Sequence, residues 1–259
     1  MLSQTLSVII PVYNEEQTLT EVVRQVARIS HLKEIIIVDD CSSDRTLEVA
    51  QFLAKTYSLV HVISHTKNKG KTAALKTALT QVKGDIVIVQ DADLEYDPQE
   101  IPLVIQPILE GKADVVYGSR FLVRRAARVL YFYHSIANHF LTFLSNSFTN
   151  LNMTDVETGY KAFRRDIICN MSIVSRGFGF EIEVTAKVAK LARLGFSVYE
   201  VPISYYGRTY EEGKKISFRD GLAAIWYIFR FNLFSRLDTA FPQLPKIRPS
   251  RYQRSRPQP

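Results

Sequence analysis

Cysteine is scarce in this sequence and long apolar runs are missing from it. The two cysteines, Cys41 and Cys169, form no C-x-x-C pair and lie near no histidine cluster. That argues against a disulfide framework and a zinc site, and a reducing compartment is the expected setting. No stretch approaches the roughly 20 apolar residues that a spanning helix needs; the longest, 221–229, is bounded by Asp220 and Arg230. The opening MLSQTLSVIIPVYNEE has no basic segment before its apolar run, and Pro11 interrupts that run. It reads as a strand and not as a leader. No internal repeat is evident.

Apolar material is plentiful all the same. Of 259 residues, 46% are hydrophobic and 23% charged, the balance of a globular chain with one core, or a core and a small appendage. The formal charge of +7 is unevenly spread. Arg120, Arg124, Arg125 and Arg128 fall in a stretch without acids, as do Lys246, Arg248, Arg251, Arg254 and Arg256, and together they exceed the surplus. Such patches point to an anionic partner, with a solvated basic tail as the plain alternative.

Up to about residue 119, continuous apolar runs at 6–12, 34–39, 60–64, 85–90 and 113–118 alternate with amphipathic stretches. The runs predict buried strands. Helices are expected from Asn14, with Gln17 completing a capping-box-like start, and over 44–57, 71–82 and 99–110. The alternation predicts an α/β fold with a mostly parallel sheet flanked by helices, whose ligands bind at the carboxyl ends of the strands.

From Arg120 the character changes. Residues 129–151 form an aromatic-rich amphipathic pattern suited to a bilayer interface, or to packing on the domain or in a dimer. A helix over 181–194 and a strand over 197–201 return to the core, and a second aromatic helix, carrying Trp226, follows over 218–237. From Pro242 the prolines and basic residues leave almost nothing to bury, so disorder is expected. The expected organisation is a catalytic domain over 1–215 with an acceptor- and membrane-facing insertion at 121–151, an amphipathic helix at 216–241 and a basic tail at 242–259.

Asp91-Ala92-Asp93 follows the strand IVIVQ directly. Residues i and i+2 of an extended chain point the same way, so two carboxylates emerge together as a hard oxygen site for Mg2+ or Mn2+, with Glu95 as a third ligand. A solvated turn is the bland alternative. Asp39 and Asp40 bring acids to a second strand end, where one carboxylate could accept from a base or ribose while Ser43 or Asp44 caps the next helix. Tyr13 and Glu15 offer a stacking ring and a carboxylate at the first strand end. Lys67, Lys69 and Lys71 surround Gly70 ahead of a helix, a place that favours phosphate.

SVIIPVYNEE, IIIVDDCSSDRT, NKGKTAAL, GDIVIVQDADLEYDP and VVYGSRF together resemble family 2 glycosyltransferases of the GT-A nucleotide-diphospho-sugar transferase fold. The branch that they resemble most is that of the dolichol-phosphate mannosyltransferases. The resemblance is dense over residues 5–121 and continues in DVETGYKAFRR and YYGRTYEEGKKISFRDG. It implies that Pro11, Tyr13, Glu15, Val38 and Asp40 line the nucleoside pocket, and that Asp91, Ala92 and Asp93 hold metal and diphosphate. Lys71 is assigned to the same nucleotide sugar, and Glu95 stands where many relatives have glutamine. Arg120 matches an arginine that holds the acceptor phosphate, and Arg208, Lys214 and Lys215 match a basic loop that closes over the phosphates. Another acceptor-binding arginine of some relatives falls near His134.

The acceptor implied is a polyprenyl phosphate and the donor a nucleotide diphosphate sugar, GDP-mannose first and UDP-glucose as the alternative. A phosphate monoester is largely dianionic at neutral pH, so one in-line displacement inverts the anomeric centre without a strong general base, and Arg120, Arg208, Lys214 and Lys215 neutralise the approaching anions. Asp155 and Glu157 are the fallback bases for a hydroxyl acceptor; otherwise Asp155 caps a turn or pairs with Lys161 or Arg164. The expected setting is the cytoplasmic face of a membrane, reached peripherally, with a membrane-protein partner or a homo-oligomer as alternative support and no nucleic acid. A nucleotidyltransferase, which would release pyrophosphate, and a non-catalytic nucleotide-sugar-binding subunit are the readings from other classes.

Overall fold

The computed structural model describes residues 4–122, 131–177, 179–207 and 218–247. Strand β1 (Leu6–Val12), helix α1 (Leu19–Val26), β2 (Leu32–Asp39), α2 (Thr46–Thr56), β3 (Val60–Ser64), α3 (Lys71–Leu79) and β4 (Ile86–Val89) form the first half. A 3-10 turn at Pro98–Glu100 leads into α4 (Ile101–Leu109) and β5 (Val115–Ser119). Then come α5 (Phe132–Thr149), β6 (Lys161–Arg164), α6 (Arg165–Ile168), α7 (Phe180–Ala192), β7 (Val198–Pro202), α8 (Phe218–Leu233) and α9 (Leu237–Ala240).

Among the described residues one sheet runs in the order β3-β2-β1-β4-β6-β5-β7. The neighbours pair in parallel, except that β6 is antiparallel to both β4 and β5. Successive side chains of a strand point to opposite faces, and the apolar runs are divided accordingly. Ile9, Ile36, Val38, Val87 and Val89 join the core under α3, α5, α7 and α8. Leu6, Val8, Ile10, Ile35, Ile37, Ile86 and Ile88 join the core under α1, α2 and α4. Pro11 lacks an N–H, and it stands beyond the last β1–β4 rung, Ile9↔Val89.

Three sequence expectations change. The first helix begins at Leu19 after the N-cap Thr18, not at Asn14. Asn14 is left-handed (φ 55), and its Oδ1 accepts from the Ser43 N–H at 2.8 Å, so its side chain ties two loops together instead of opening a helix. Strand β6 was not expected, because its four residues carry Lys161 and Arg164, charges that normally mark a solvated segment. Both are fully buried. Arg164 forms ion pairs with Asp114 and Asp166 at 2.5 Å each, and Lys161 donates to the Thr158 carbonyl with its ammonium 5.2 Å from the centre of the Tyr117 ring. The last long helix ends at Leu233, and α9 follows as a separate turn.

Helix α8 packs against α5 and α7, Ala224 and Ile228 lie in the same core as Ile9 and Phe163, and Phe231 is buried. Phe241 is buried there too, and Arg164 Nη2 donates to the Lys246 carbonyl at 2.8 Å, so the start of the proline-rich segment is held against the sheet. No helix among the described residues is long and apolar enough to cross a membrane. The outer faces of α5 and α8 expose large apolar side chains, with Phe132 70%, Tyr133 83% and Trp226 58% accessible.

Candidate functional site

Three strands end in left-handed residues that are not glycine: Asn14 after β1 (φ 55), Cys41 after β2 (φ 62) and Leu94 after β4 (φ 59). This backbone is costly for residues with a Cβ, and such strain persists where the surroundings enforce it. Here it turns three loops sharply at one edge of the sheet. The first two loops are laced together: Asn14 N–H donates to Ser42 Oγ at 3.0 Å, Glu15 N–H to Thr46 Oγ1 at 2.8 Å and Glu16 N–H to Asp44 Oδ2 at 3.3 Å. Asp44 Oδ1 also accepts from Thr46 N–H at the start of α2, although the N-cap position itself is held by Arg45 and not by the expected Ser43 or Asp44.

Of the expected nucleoside residues, Tyr13 is 38% exposed at this edge, Pro11 and Glu15 are half-buried, and Val38 lies wholly in the core. Asp40 is buried, and its carboxylate accepts from Lys69 N–H at 2.9 Å, Gly70 N–H at 2.6 Å and the His65 ring at 2.7 Å. The other ring nitrogen of His65 meets Thr77 Oγ1 on α3 at 2.9 Å. Asp40 and His65 therefore fix the loop that presents Lys71, with Gly70 in the left-handed region at φ 85. The neighbouring Asp39, also buried, keeps an Oδ1 with no hydrogen-bond partner.

Strand β4 ends at Val89, so Asp91-Ala92-Asp93 sits in the turn beyond it and not in extended chain. The two carboxylates are accordingly set by separate contacts. Asp91 faces Lys71 Nζ at 2.9 Å, and Lys71 also lies 3.3 Å from Glu181 Oε1 at the start of α7. Burial alone would lower the Lys71 ammonium, but Asp91 and Glu181 outweigh it and raise its pKa well above the usual lysine range. Asp93 Oδ1 accepts from Glu95 N–H at 3.1 Å. Glu95 Oε2 accepts from the Tyr205 hydroxyl at 2.8 Å, and among the described residues no three His, Cys, Asp or Glu side chains are grouped to hold a metal. Gly159 closes the site from the other side: a Cβ there would fall 2.7 Å from Asp91 Oδ2 and 2.9 Å from the Tyr96 ring.

The segment from Thr154 to Tyr160 links this edge to Arg120. Asp155 is completely buried and takes Arg120 Nε at 2.6 Å and Nη2 at 2.8 Å, a two-pronged pair. Its partner is thus Arg120, neither Lys161 nor Arg164. Glu200 on β7 accepts from the N–H groups of Thr154 and Asp155 at 2.9 and 3.2 Å and fixes the segment from behind. The Tyr205 ring lies 5.1 Å from the Arg120 guanidinium, and Asn138 Oδ1 of α5 is 3.4 Å from Arg120 Nη2. His134, one turn earlier on α5, is half-buried beside Tyr131, with ring centroids 6.1 Å apart. Arg208, Lys214 and Lys215 lie outside the described residues.

Glu157 has a buried Oε1 with no partner, and burial together with the nearby Glu181 carboxylate pushes its pKa up to about 7. Sequence reasoning missed Glu181 and His65 as members of this site. The available signal for Glu181 was a pair of carboxylates, Glu181 and Glu183, in the otherwise apolar start of a helix, GFGFEIEV; nothing comparable marks His65.

Residues 7–170 match the family model described as glycosyl transferase family 2. Over 213 residues, 81% of the chain, it is 32% identical to a dolichol-phosphate mannosyltransferase of Pyrococcus furiosus, covering 58% of that relative. It is 25% identical over 217 residues, 82% of the chain and 62% of the relative, to a dodecaprenyl-phosphate galacturonate synthase of Rhizobium johnstonii. A low-salt glycan biosynthesis hexosyltransferase of Haloferax volcanii is 30% identical over 236 residues, 90% of the chain and 54% of the relative. The chain therefore spans between 54% and 62% of the length of these relatives. Glucosyl-3-phosphoglycerate synthase of Mycobacterium tuberculosis, solved with uridine diphosphate, superposes with a TM-score of 0.67 at 21% identity, covering 88% of this chain and 80% of that one. That likeness is one of fold, and it agrees with the seven-stranded sheet and flanking helices. By its sequence match and its architecture, the chain belongs to glycosyl transferase family 2 and has the GT-A fold.

Proposed function

We propose that the protein transfers a hexose, mannose from GDP-mannose as the first reading and glucose from UDP-glucose as the alternative, to the phosphate of a polyprenyl lipid with inversion. The observation that carries this reading is the placing of Arg120. It follows β5, is paired with Asp155 of the segment whose Gly159 lies against Asp91, and also contacts α5, whose outer face is aromatic and exposed. A cation between a nucleotide-sugar edge and an apolar face suits an acceptor with a phosphate head and a hydrocarbon tail.

The donor set suits Mg2+ or Mn2+. Asp91 and Asp93 offer hard oxygens, and Asp91 already holds a cation, the Lys71 ammonium, at 2.9 Å. A bound divalent ion would neutralise the leaving diphosphate. A relative of the same fold was solved with Mn2+, UDP and glucosyl-3-phosphoglycerate. In this reading Tyr13, Glu15 and the β2 edge receive the nucleoside, and Lys71 takes part of the diphosphate charge. Arg120, held by Asp155, orients the acceptor phosphate toward the anomeric carbon, and Arg208, Lys214 and Lys215 add positive charge for the phosphates. The dianionic acceptor attacks without losing a proton, so catalysis rests on alignment and charge neutralisation. The chain reaches its lipid from the cytoplasmic face through the exposed faces of α5 and α8 and the basic patches, or by way of a membrane partner.

A second reading, a hydroxyl acceptor, draws on Glu157: with a pKa pushed up to about 7 it could take a proton near neutral pH. The test is a panel of radiolabelled nucleotide sugars supplied with polyprenyl phosphate in vesicles. The proposal expects an acid-labile product in the organic phase, matched by released nucleoside diphosphate. Transfer only to water-soluble hydroxyl acceptors would replace it with the second reading.

A further inference from the structure

The cation that Asp91 holds is one of the protein's own side chains. Lys71 Nζ lies 2.9 Å from Asp91 Oδ1, 3.1 Å from Asp91 Oδ2 and 3.3 Å from Glu181 Oε1. Lys71 opens α3 on a fixed backbone: Gly70 O accepts from the N–H groups of Ala73 and Ala74 at 2.9 and 3.2 Å, and Thr72 Oγ1 donates to Gly177 O at 2.8 Å. Only the side chain is left to move. Glu181 is itself buried, and its second oxygen, Oε2, has no hydrogen-bond partner. A buried carboxylate with half its accepting capacity unused is unfavourably placed, and it gains whenever a donor comes closer.

Two cations cannot share the oxygens of Asp91 without repulsion, which is steep at such separations and poorly screened in a partly buried site. A tethered ammonium must then yield to an arriving divalent ion, and Glu181 is the carboxylate it already touches.

We propose that Lys71 is a resident counter-ion that competes with the divalent cation for Asp91, and that Glu181 is the seat to which it withdraws when that cation binds. The inference rests on the reading of Asp91 and Asp93 as the metal site. It makes divalent-ion affinity a property of the Lys71–Glu181 pair as well as of the two aspartates, and the ammonium offsets part of the carboxylate charge when no divalent ion is bound.

The test uses Mn2+ alone, titrated into the full chain without nucleotide, with free Mn2+ read by electron paramagnetic resonance. Removing the competitor in Lys71→Met should tighten Mn2+ binding by about tenfold, and Lys71→Arg, which keeps the charge, should stay within about twofold of the parent. Glu181→Gln should weaken binding several-fold in the parent and leave it unchanged in the Lys71→Met background, because Glu181 acts through the lysine. Unchanged or weaker binding in Lys71→Met, with the fold intact by circular dichroism, overturns the competition. An equal loss from Glu181→Gln in both backgrounds overturns the second seat. Asp93→Asn separates the inference from its premise: Mn2+ binding unaffected by that change removes the metal site itself, whatever Lys71 does.

Discussion

The two sides of the site are built in different ways. On the side proposed for the nucleotide, the loops after β1, β2 and β3 are held by side chains that bond backbone N–H groups: Asn14 to Ser43, Asp44 to Thr46, Asp40 to Lys69 and Gly70. On the side proposed for the acceptor, the central contact is a buried ion pair, Arg120 with Asp155, propped by Glu200 and faced by an aromatic helix. Many modest hydrogen bonds make a frame that loses little with any one of them. A single desolvated ion pair concentrates the dependence, because removing one partner leaves the other charged and buried. The nucleotide side should therefore tolerate change gradually, and the acceptor side should fail at single residues.

The largest expected effect tests that concentration. Asp155→Ala, which strands Arg120, should cost about 3–5 kcal/mol in urea unfolding; a loss below about 1 kcal/mol would mean that the pair is not the keystone. Asp93→Asn should lower transfer by roughly 10²–10³-fold with the melting temperature almost unmoved, and near-normal turnover would remove the metal from the account. Asp40→Asn gives the amides of Lys69 and Gly70 a poorer partner, at a cost of about 1–3 kcal/mol. That should be less than for Asp155→Ala, and the reverse order would invert the comparison.

A pH experiment follows from Glu157. Its pKa rises from the ordinary 4.5 to about 7 in the folded state, so between those values the folded chain holds a proton that the unfolded chain has lost. This contribution to stability is full below about pH 4.5 and is lost as pH rises through about 7. Glu157→Gln should flatten that part of a urea-stability profile, and a parallel profile would show that the carboxyl is not raised. The smallest effect concerns the outer face of α5: Phe132→Ser with Tyr133→Ser should weaken binding to anionic vesicles about tenfold, while unchanged binding would place membrane contact elsewhere.

Much of the first half was legible because its strands are apolar on both faces and its helices show one apolar stripe, as in Leu19, Val22, Val23 and Val26 of α1. Strand β6 was hidden because Arg164 is paired with Asp114, 50 residues away, as well as with Asp166, and Lys161 is held by the Thr158 carbonyl and the distant Tyr117 ring, contacts that the local pattern does not reveal. In the site, residue types pointed to one sheet edge, where the fold gathers them, but not to their pairings. Asp40 is spent on the loop after β3, Glu95 bonds Tyr205, and Asp155 is bound to Arg120. Long-range contacts such as Glu181 with Lys71 are made by the fold, 110 residues apart in the chain, and no window of sequence contains both ends.

The central claim is that the acceptor is a phosphate and that Arg120 is placed to receive it. Initial rates with purified protein, a labelled nucleotide sugar and metal, measured on a polyprenyl phosphate and on the corresponding free alcohol in the same vesicles, test it most directly. The account predicts a glycolipid from the phosphate and none above background from the alcohol. Equal transfer to both, or transfer to the alcohol alone, would contradict it.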